Sequence, residues 1–319
     1  MKKILFISYL FLGLINLSYA QEFPNKTVHL IVGSGADQVA RLLGERLSVT
    51  WGQAVIVENR LAAGGMVAAD TVAKSAPDGS NILLSSSAYP LLQATRTKMP
   101  VNFFEDLTPV IMFSRSTFIL VVNKDLPVSN LNEIIELAKK TKEKGGRGLN
   151  YGSVGPGTTS HIAGEMFNQE ANINLTHVPY KSFPAAVTDL IAGELEMIFA
   201  PLSSVLPLIK DGKIKAIGVS TEKHDPYLPE LTTFTEQGYP NMTFVGWNGF
   251  HVSSKTPPTI VQKIYQDTNK IISDPTFIAK AKQMGYQLVS FNPKEFSDLQ
   301  DKDFKKFSAI TKKANIKVD

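Results

Sequence analysis

Between residues 28 and 47 the chain changes hydrophobic period once. Val28, Leu30, Ile31 and Val32 make a nearly continuous apolar run, the pattern of a strand buried on both faces. Gly33-Ser34-Gly35-Ala36-Asp37 breaks that run, and Val39, Leu42, Leu43 and Leu47 then recur at the spacing of a helix with one apolar stripe. Strand, glycine turn and amphipathic helix are half of a β-α-β unit. The alternation continues with predicted strands at 54–58 and 82–84, separated by Gly64-Gly65, a helix reaching Ala73 and the turn Pro77-Asp78-Gly79. Two more strands are predicted at 106–113 and 118–123, the second almost entirely apolar.

From there the pattern repeats. Ser129 reads as the N-cap of a helix whose buried face is Leu131, Ile134, Ile135 and Ala138. A short strand ends at Tyr151, and a glycine-rich segment leads into a helix that includes 162–167. Next come a strand at 175–178, a helix stopped by Gly193, a strand at 197–199, a helix at 202–209 and a strand at 216–219. The glycine-flanked aromatic stretch 245–250 reads as a return crossing. Two helices follow, marked by Ile260, Ile264 and Ile271 and by Phe277, Ala281 and Met284. Asn292-Pro293-Lys294-Glu295 is the clearest helix start: a cap, a proline at the first helical position and an acid in the first turn. It opens a C-terminal helix carrying Phe296, Leu299, Phe304 and Phe307, expected to pack on the first lobe. Strand–helix alternation in both parts predicts an α/β protein of two lobes, residues 21–122 with 247–319 and residues 123–246, each a sheet flanked by helices.

In such sheets ligands collect beyond the carboxyl ends of the strands, which singles out Ser34 and the run Ser85, Ser86 and Ser87. The strongest candidate is the stretch from Asn150 to His161, Asn-Tyr-Gly-Ser-Val-Gly-Pro-Gly-Thr-Thr-Ser-His. A helix starting at a strand end presents unpaired N–H groups and the positive end of its dipole, and Thr158, Thr159 and Ser160 add hydroxyl donors. That is a cradle for a carboxylate or another small oxyanion. The competing reading is an ordinary N-cap, with Thr158 or Ser160 satisfying the helix amides. Neither nucleotide fingerprint fits: Gly157-Thr158-Thr159 lacks the P-loop lysine, and the third glycine of a dinucleotide motif after Gly33 and Gly35 is Gln38.

Composition narrows the setting. With 319 residues the chain can bury two ordinary cores. Lys2 and Lys3, an apolar run over 4–17 and the small residues Ser18 and Ala20 form an export signal, expected to be cleaved after Ala20 and to place the mature protein in the periplasm. Losing those two lysines takes the formal charge from +4 to +2, which gives no argument for nucleic acid. The chain has no cysteine, so disulfides, thiol catalysis and a lipidated N-terminal cysteine are excluded. Catalysis finds little support: Ser160 and His161 are adjacent on a helix and have no nucleophile elbow around them. The histidines show no short metal spacing, and Glu58, Asp70 and Glu165 do not form a glycosidase-like pair. No cofactor is expected.

Several segments taken together resemble the solute-binding proteins of tripartite tricarboxylate transporters, the Bug family. They are Phe23-Pro24-Asn25-Lys26, Val57-Glu58-Asn59-Arg60 with Gly64-Gly65, Ala76-Pro77-Asp78-Gly79, Leu149-Asn150-Tyr151-Gly152-Ser153, Gly157-Thr158-Thr159-Ser160-His161, His177-Val178-Pro179-Tyr180-Lys181 and Gly212-Lys213-Ile214-Lys215-Ala216. The resemblance implies a two-lobed, type II-like periplasmic binding protein that closes over a small carboxylate, whether a di- or tricarboxylate or an aromatic or aliphatic acid. It would act as a monomer and serve a membrane permease of that transporter type or a membrane sensor. By matching position it implies contacts from Ser34, Gly35, Ala63, Gly64 and Ser86 in lobe 1. From lobe 2 it implies Ser153, Thr158, Thr159, Ser160 and His161, with Tyr180 and Lys181 nearby. Two departures stand out. The loop between Gly33 and Asp37 is shorter than the family's. Ala200 stands where amino-acid-binding members carry an aspartate, which favours a ligand without an amino group.

Overall fold

The computed structural model describes residues 23–33, 37–96, 98–143 and 148–316; the expected signal segment and the candidates Ser34 and Gly35 lie outside them. Lobe 1 begins with β1 (Val28–Val32), α1 (Asp37–Trp51), β2 (Val55–Asn59), α2 (Met66–Ala73), β3 (Asn81–Ser86) and α3 (Ala88–Thr95). The chain then runs through β4 (Leu107–Asn123) into lobe 2: α4 (Leu131–Glu143), β5 (Asn150–Ser153), α5 (Thr159–Ala171), β6 (Thr176–Pro179), α6 (Phe183–Ala192), β7 (Met197–Pro201), α7 (Leu202–Lys210) and β8 (Ile214–Val219). It returns through β9 (Val245–Ser253) to α8 (Pro258–Ile272), α9 (Pro275–Gln283), β10 (Gln287–Phe291) and α10 (Pro293–Lys313).

Both lobes repeat one strand order. In lobe 1 it is β2-β1-β3-β9-β4, in which β1, β2 and β3 are parallel and β9 runs antiparallel to both of its neighbours. In lobe 2 it is β6-β5-β7-β4-β8, again three parallel strands and then one antiparallel strand, here β4. The sequence pattern suggests two strands within β4, whereas the structure makes one. Its partner is β9 up to Thr117 and then β7 and β8 from Phe118 onward.

The uninterrupted apolar runs are explained by burial on both faces. Along β1, Val28, Leu30 and Val32 face a core built with α1, α8 and α9, while Ile31 faces the opposite core with α2, Tyr89 and Phe296. In β4, Phe118, Leu120 and Val122 point into one lobe-2 core and Ile119 and Val121 into the other. With each such side chain contributing roughly 1.5–3 kcal/mol on full burial, this two-sided alternation is the main source of stability and fixes the strand register.

Two elements escaped the sequence pattern. In α3, Tyr89, Pro90, Leu91, Leu92 and Thr95 are all buried, which leaves the short helix no polar face to set a period. β10 is an edge strand on β4 with only partly buried side chains. The C-terminal helix α10 does not confine itself to lobe 1. Phe296 sits in a lobe-1 core, whereas Phe307 joins Leu91 in a lobe-2 core, and Lys306 donates to the Thr243 carbonyl. Trp247 donates its indole N–H to Asp303 at 2.8 Å, and burial pushes that carboxyl up to about 6.

Two substitutions test this packing. Gly164 on α5 lies flat against the Tyr151 ring, where any Cβ would overlap ring carbons. Gly164→Ala is expected to cost about 1–3 kcal/mol by urea denaturation at unchanged m-value. Asn292 accepts the N–H groups of Lys294 and Glu295 while Glu295 accepts that of Asn292. Asn292→Ala is expected to lower stability by about 1 kcal/mol in the same measurement.

Candidate functional site

The glycine-rich segment after β5 ties itself down with its own polar groups. Ser153, only 1% exposed, accepts the Gly155 N–H at 3.0 Å and lies 2.6 Å from His177 Nε2. Thr158 donates its hydroxyl to the Gly155 carbonyl at 2.8 Å. Gly157 N–H donates to His161 Nδ1 at 3.0 Å, so that nitrogen is an unprotonated acceptor. The His161 and His177 rings stack with centroids 4.0 Å apart, and Tyr151 donates to Glu165 at 2.6 Å.

The consequence is a helix start without a cap. Thr158 precedes α5, yet its side chain makes no bond to the helix amides, because its hydroxyl is spent on the loop. The N-cap reading of this threonine therefore does not hold, and the amides opening α5 remain available for an external acceptor. Four other helices begin without a side-chain cap, α2 and α8 among them, and two of the four, α3 and α7, open close to α5. Pro201 precedes α7 and has no side-chain acceptor to offer; Ser87 precedes α3 and makes no cap bond, although the Ser86 hydroxyl accepts the Ala88 N–H at 3.3 Å.

These three helix starts converge. A cavity of about 260 Å³ between the lobes is lined by Ser86, Ser87 and Ala88 at the start of α3, Thr159 at the start of α5, and Pro201, Ser203 and Ser204 at the start of α7. Its floor comes from β4 and β9, through Arg115, Ser116, Phe118, Trp247 and Asn248, and Tyr286 closes one side. Among the described residues no carboxylate lines it, and Arg115 is the one that carries a formal charge. A helix start contributes about 0.3–1 kcal/mol to a nearby anion, up to about 2 in partly buried geometry, and a hydrogen bond to a charged group roughly 1.5–3 kcal/mol. Such a lining would favour negative charge over positive. A wider groove of about 490 Å³, bordered by Leu206, Lys210, Tyr227 and Lys282, lies on the other side of Gly285 and has no comparable convergence of helix starts.

Of the residues singled out by sequence, Ser86, Ser87 and Thr159 meet in this cavity, while Ser85 is buried against the Gly249 carbonyl and His251. Thr158 and Ser160 flank Thr159, with Ser160 buried in α5. Ser153 and His161 lie behind the loop and hold it. Gly64 and Ala63 sit in the short turn of 3-10 helix before α2. Tyr180 turns its hydroxyl to Asp189 at 2.9 Å, and Lys181 is exposed. Ala200 is fully buried in a lobe-2 core; the next residue, Pro201, is the one that reaches the cavity. Sequence reasoning did not single out Arg115, Ser203, Ser204, Asn248 or Tyr286. Arg115 did leave a signal, as the one charge in the 17 residues of β4.

The buried histidines give a pH prediction. Burial lowers His161 and His177 to about 4, and the adjacent His161 ring further disfavours charge on His177. Since an unfolded histidine titrates near 6.5, the unfolded chain takes up protons first as pH falls. The stability contributed by these two rings is therefore complete above about 6.5 and is lost between there and about 4. Histidine C2–H signals followed by NMR are expected to show both rings neutral at pH 6, and urea midpoints to fall across that window.

Comparison with known proteins places this architecture. The tripartite tricarboxylate transporter family receptor matches residues 39–316. A relative from a Pseudomonas species, the UPF0065 protein in the tcbD-tcbE intergenic region, is 31% identical over 282 residues, covering 87% of this chain and 83% of its own. Among solved structures, R. palustris Rpa4515 with adipate superposes with a TM-score of 0.81 at 28% identity, covering 93% of this chain and 99% of its own. The periplasmic binding protein BugD superposes with a TM-score of 0.79 at 27% identity, covering 92% and 99%. The two-lobed fold, the inter-lobe cavity and these matches lead to one conclusion: the chain belongs to the tripartite tricarboxylate transporter family of receptors, as a Bug-type solute-binding protein.

Proposed function

We propose that the protein captures a small carboxylate between its lobes in the periplasm and delivers it, chemically unchanged, to the membrane permease of a tripartite tricarboxylate transporter. The observation that carries this reading is the cavity itself: three helix starts from both lobes, none capped by the side chain that precedes it, face one space with no acidic side chain among the described residues that line it. Taking a carboxylate out of water costs several kcal/mol, and charge-assisted bonds from amides and hydroxyls are the groups that offset it here. The adipate in the R. palustris relative is consistent with a ligand of this class.

Binding without turnover is supported by where the serine–histidine pairs lie. Ser153 with His177 and Ser85 with His251 are close enough to exchange a proton, at 2.6 and 2.8 Å. Both serines are buried, however, and burial pushes His177 and His251 down to about 4 and about 3, so neither ring is a useful base at neutral pH. Contacts between lobes support a closing motion. Tyr227 donates to the Lys282 carbonyl at 2.8 Å, and Gln287 to Asp225 at 2.9 Å. Gly285 approaches Ser203 so closely that a Cβ at 285 would stand 2.9 Å from the serine Cβ, on a backbone already at φ +80°.

Native mass spectrometry of protein purified from the periplasm, followed by release of the bound molecule, is expected to identify a carboxylic acid. Recovery of a neutral or cationic ligand in stoichiometric amount would refute the reading. By titration calorimetry, Thr159→Ala is expected to weaken binding of that acid by about 1.5 kcal/mol, roughly tenfold in Kd. Gly285→Ala, which obstructs approach of the lobes, is expected to weaken it several-fold and, because alanine is strained at positive φ, to lower the thermal midpoint of the ligand-free protein by a few °C as well.

A further inference from the structure

Asp225 is a buried carboxylate outside the cavity lining. It stands in the excursion between β8 and β9, whose Tyr227, Leu228 and Leu231 pack against a lobe-2 core. The residue is 2% exposed and forms no ion pair with a described lysine, arginine or histidine. A charge buried without a counter-charge is costly unless neutral donors surround it. Three do so here. Thr117 donates its hydroxyl at 2.6 Å, the Tyr227 backbone N–H donates at 2.9 Å and the Gln287 amide donates at 2.9 Å.

The three donors belong to different parts of the molecule. Tyr227 is in the same excursion as the carboxylate, and its bond keeps that turn folded. Thr117 is the last residue of β4 paired with β9, and Phe118 is the first paired with β7, so the Thr117 hydroxyl sits at the crossing between lobes. Gln287 opens β10, which pairs with the lobe-1 half of β4 at Arg115 and Ser114. Its bond to Asp225 therefore joins one lobe to the other. The two residues before Gln287 carry this link to the cavity: Gly285 approaches Ser203 of α7, and Tyr286 closes one side.

We propose that Asp225 is a positioning residue for ligand capture: without touching the ligand, it holds Gln287 and Thr117 so that the lobes and the Tyr286 wall keep the arrangement that surrounds one. A ligand-free protein held in this way has a larger share of molecules ready to bind, and that share enters the apparent Kd directly. The effect on affinity rests on the carboxylate-binding reading above; the effect on lobe arrangement does not.

The test uses the absence of native cysteine. Spin labels at Glu45→Cys on α1 and Lys140→Cys on α4, both exposed and in different lobes, report the inter-lobe distance by pulsed electron resonance. The wild type, Gln287→Leu and Asp225→Asn are compared without ligand and with adipate as the probe, and Kd for adipate is measured by calorimetry on the unlabelled proteins. In Gln287→Leu, a substitution at a partly exposed position, the ligand-free distances are expected to spread away from the wild-type distribution and saturating adipate to restore it. Its Kd is expected to rise about three- to tenfold. Asp225→Asn is expected to lie between the two, since rotation of the Gln287 amide returns one hydrogen bond. Distances and Kd both unchanged in Gln287→Leu, with only the urea midpoint lowered, would reduce Asp225 to a fold-stabilising role and overturn the proposal. Shifted distances in a protein that binds no adipate would uphold the positioning of the lobes and count against carboxylate capture.

Discussion

A backbone amide in the first turn of a helix has no partner within that helix, and a buried one must find an acceptor or lose the free energy of a hydrogen bond. Some helices meet this demand with a side chain at the N-cap, as α6 does with Ser182, α9 with Asp274 and α10 with Asn292, while α2 and α8 have no such cap. The helices around the inter-lobe cavity do not. Thr158 had the right chemistry to cap α5 and is turned away by its bond to Gly155. What would be a defect in one helix is, on the proposed reading, the basis of a site when three such starts face the same space.

Their convergence follows from strand order. β3 and β7 hold equivalent places in the two lobes, each beside the antiparallel strand, and the chain leaves each of them directly into a helix whose start lines the cavity. β5 lies next to β7, so α5 begins beside α7. The symmetry is incomplete at α1, the counterpart of α5. There Asp37 occupies the first turn, paired with Arg41 and receiving a bond from Asn59, so that helix carries its own negative charge. The histidine stack beneath the α5 loop has a related effect: a neutral His161 keeps its acceptor for Gly157, so the loop geometry survives without a charge that would compete for the ligand.

Much of this was legible in the chain because two-sided burial and strand–helix alternation both leave marks on sequence. Val28 to Val32, the Leu42, Leu43 and Leu47 stripe and the Asn292 start each declared themselves through one local rule. The cradle at Gly157 and Thr159 was legible for the same reason, since a glycine-rich strand end before a helix is a local feature. Its partners were not. Ser203 and Ser204 are ordinary residues of a helix until the fold brings α7 beside α5, and Asn248 and Tyr286 reach the cavity from strands and turns far along the chain. Hydroxyls carry no signature of which face they will line. Ser153 and Tyr180 show the converse: both lie near the right loops in sequence, yet both spend their oxygens inside lobe 2.

The continuity of β4 sets the mechanics of the whole molecule. Its ladder is shared, with β9 holding the first stretch and β7 and β8 the last, and no loop interrupts it between Leu107 and Asn123. A jaw mounted on such a strand cannot swing freely as it would on a slack tether; it can only twist, spreading small dihedral changes over the residues near Ser116 and the irregular pairings on either side. Torsional stiffness of one ribbon then sets how far the mouth gapes and how quickly it shuts, independently of how tightly the cargo is gripped. Opening the mouth would therefore demand a twist of this shared strand.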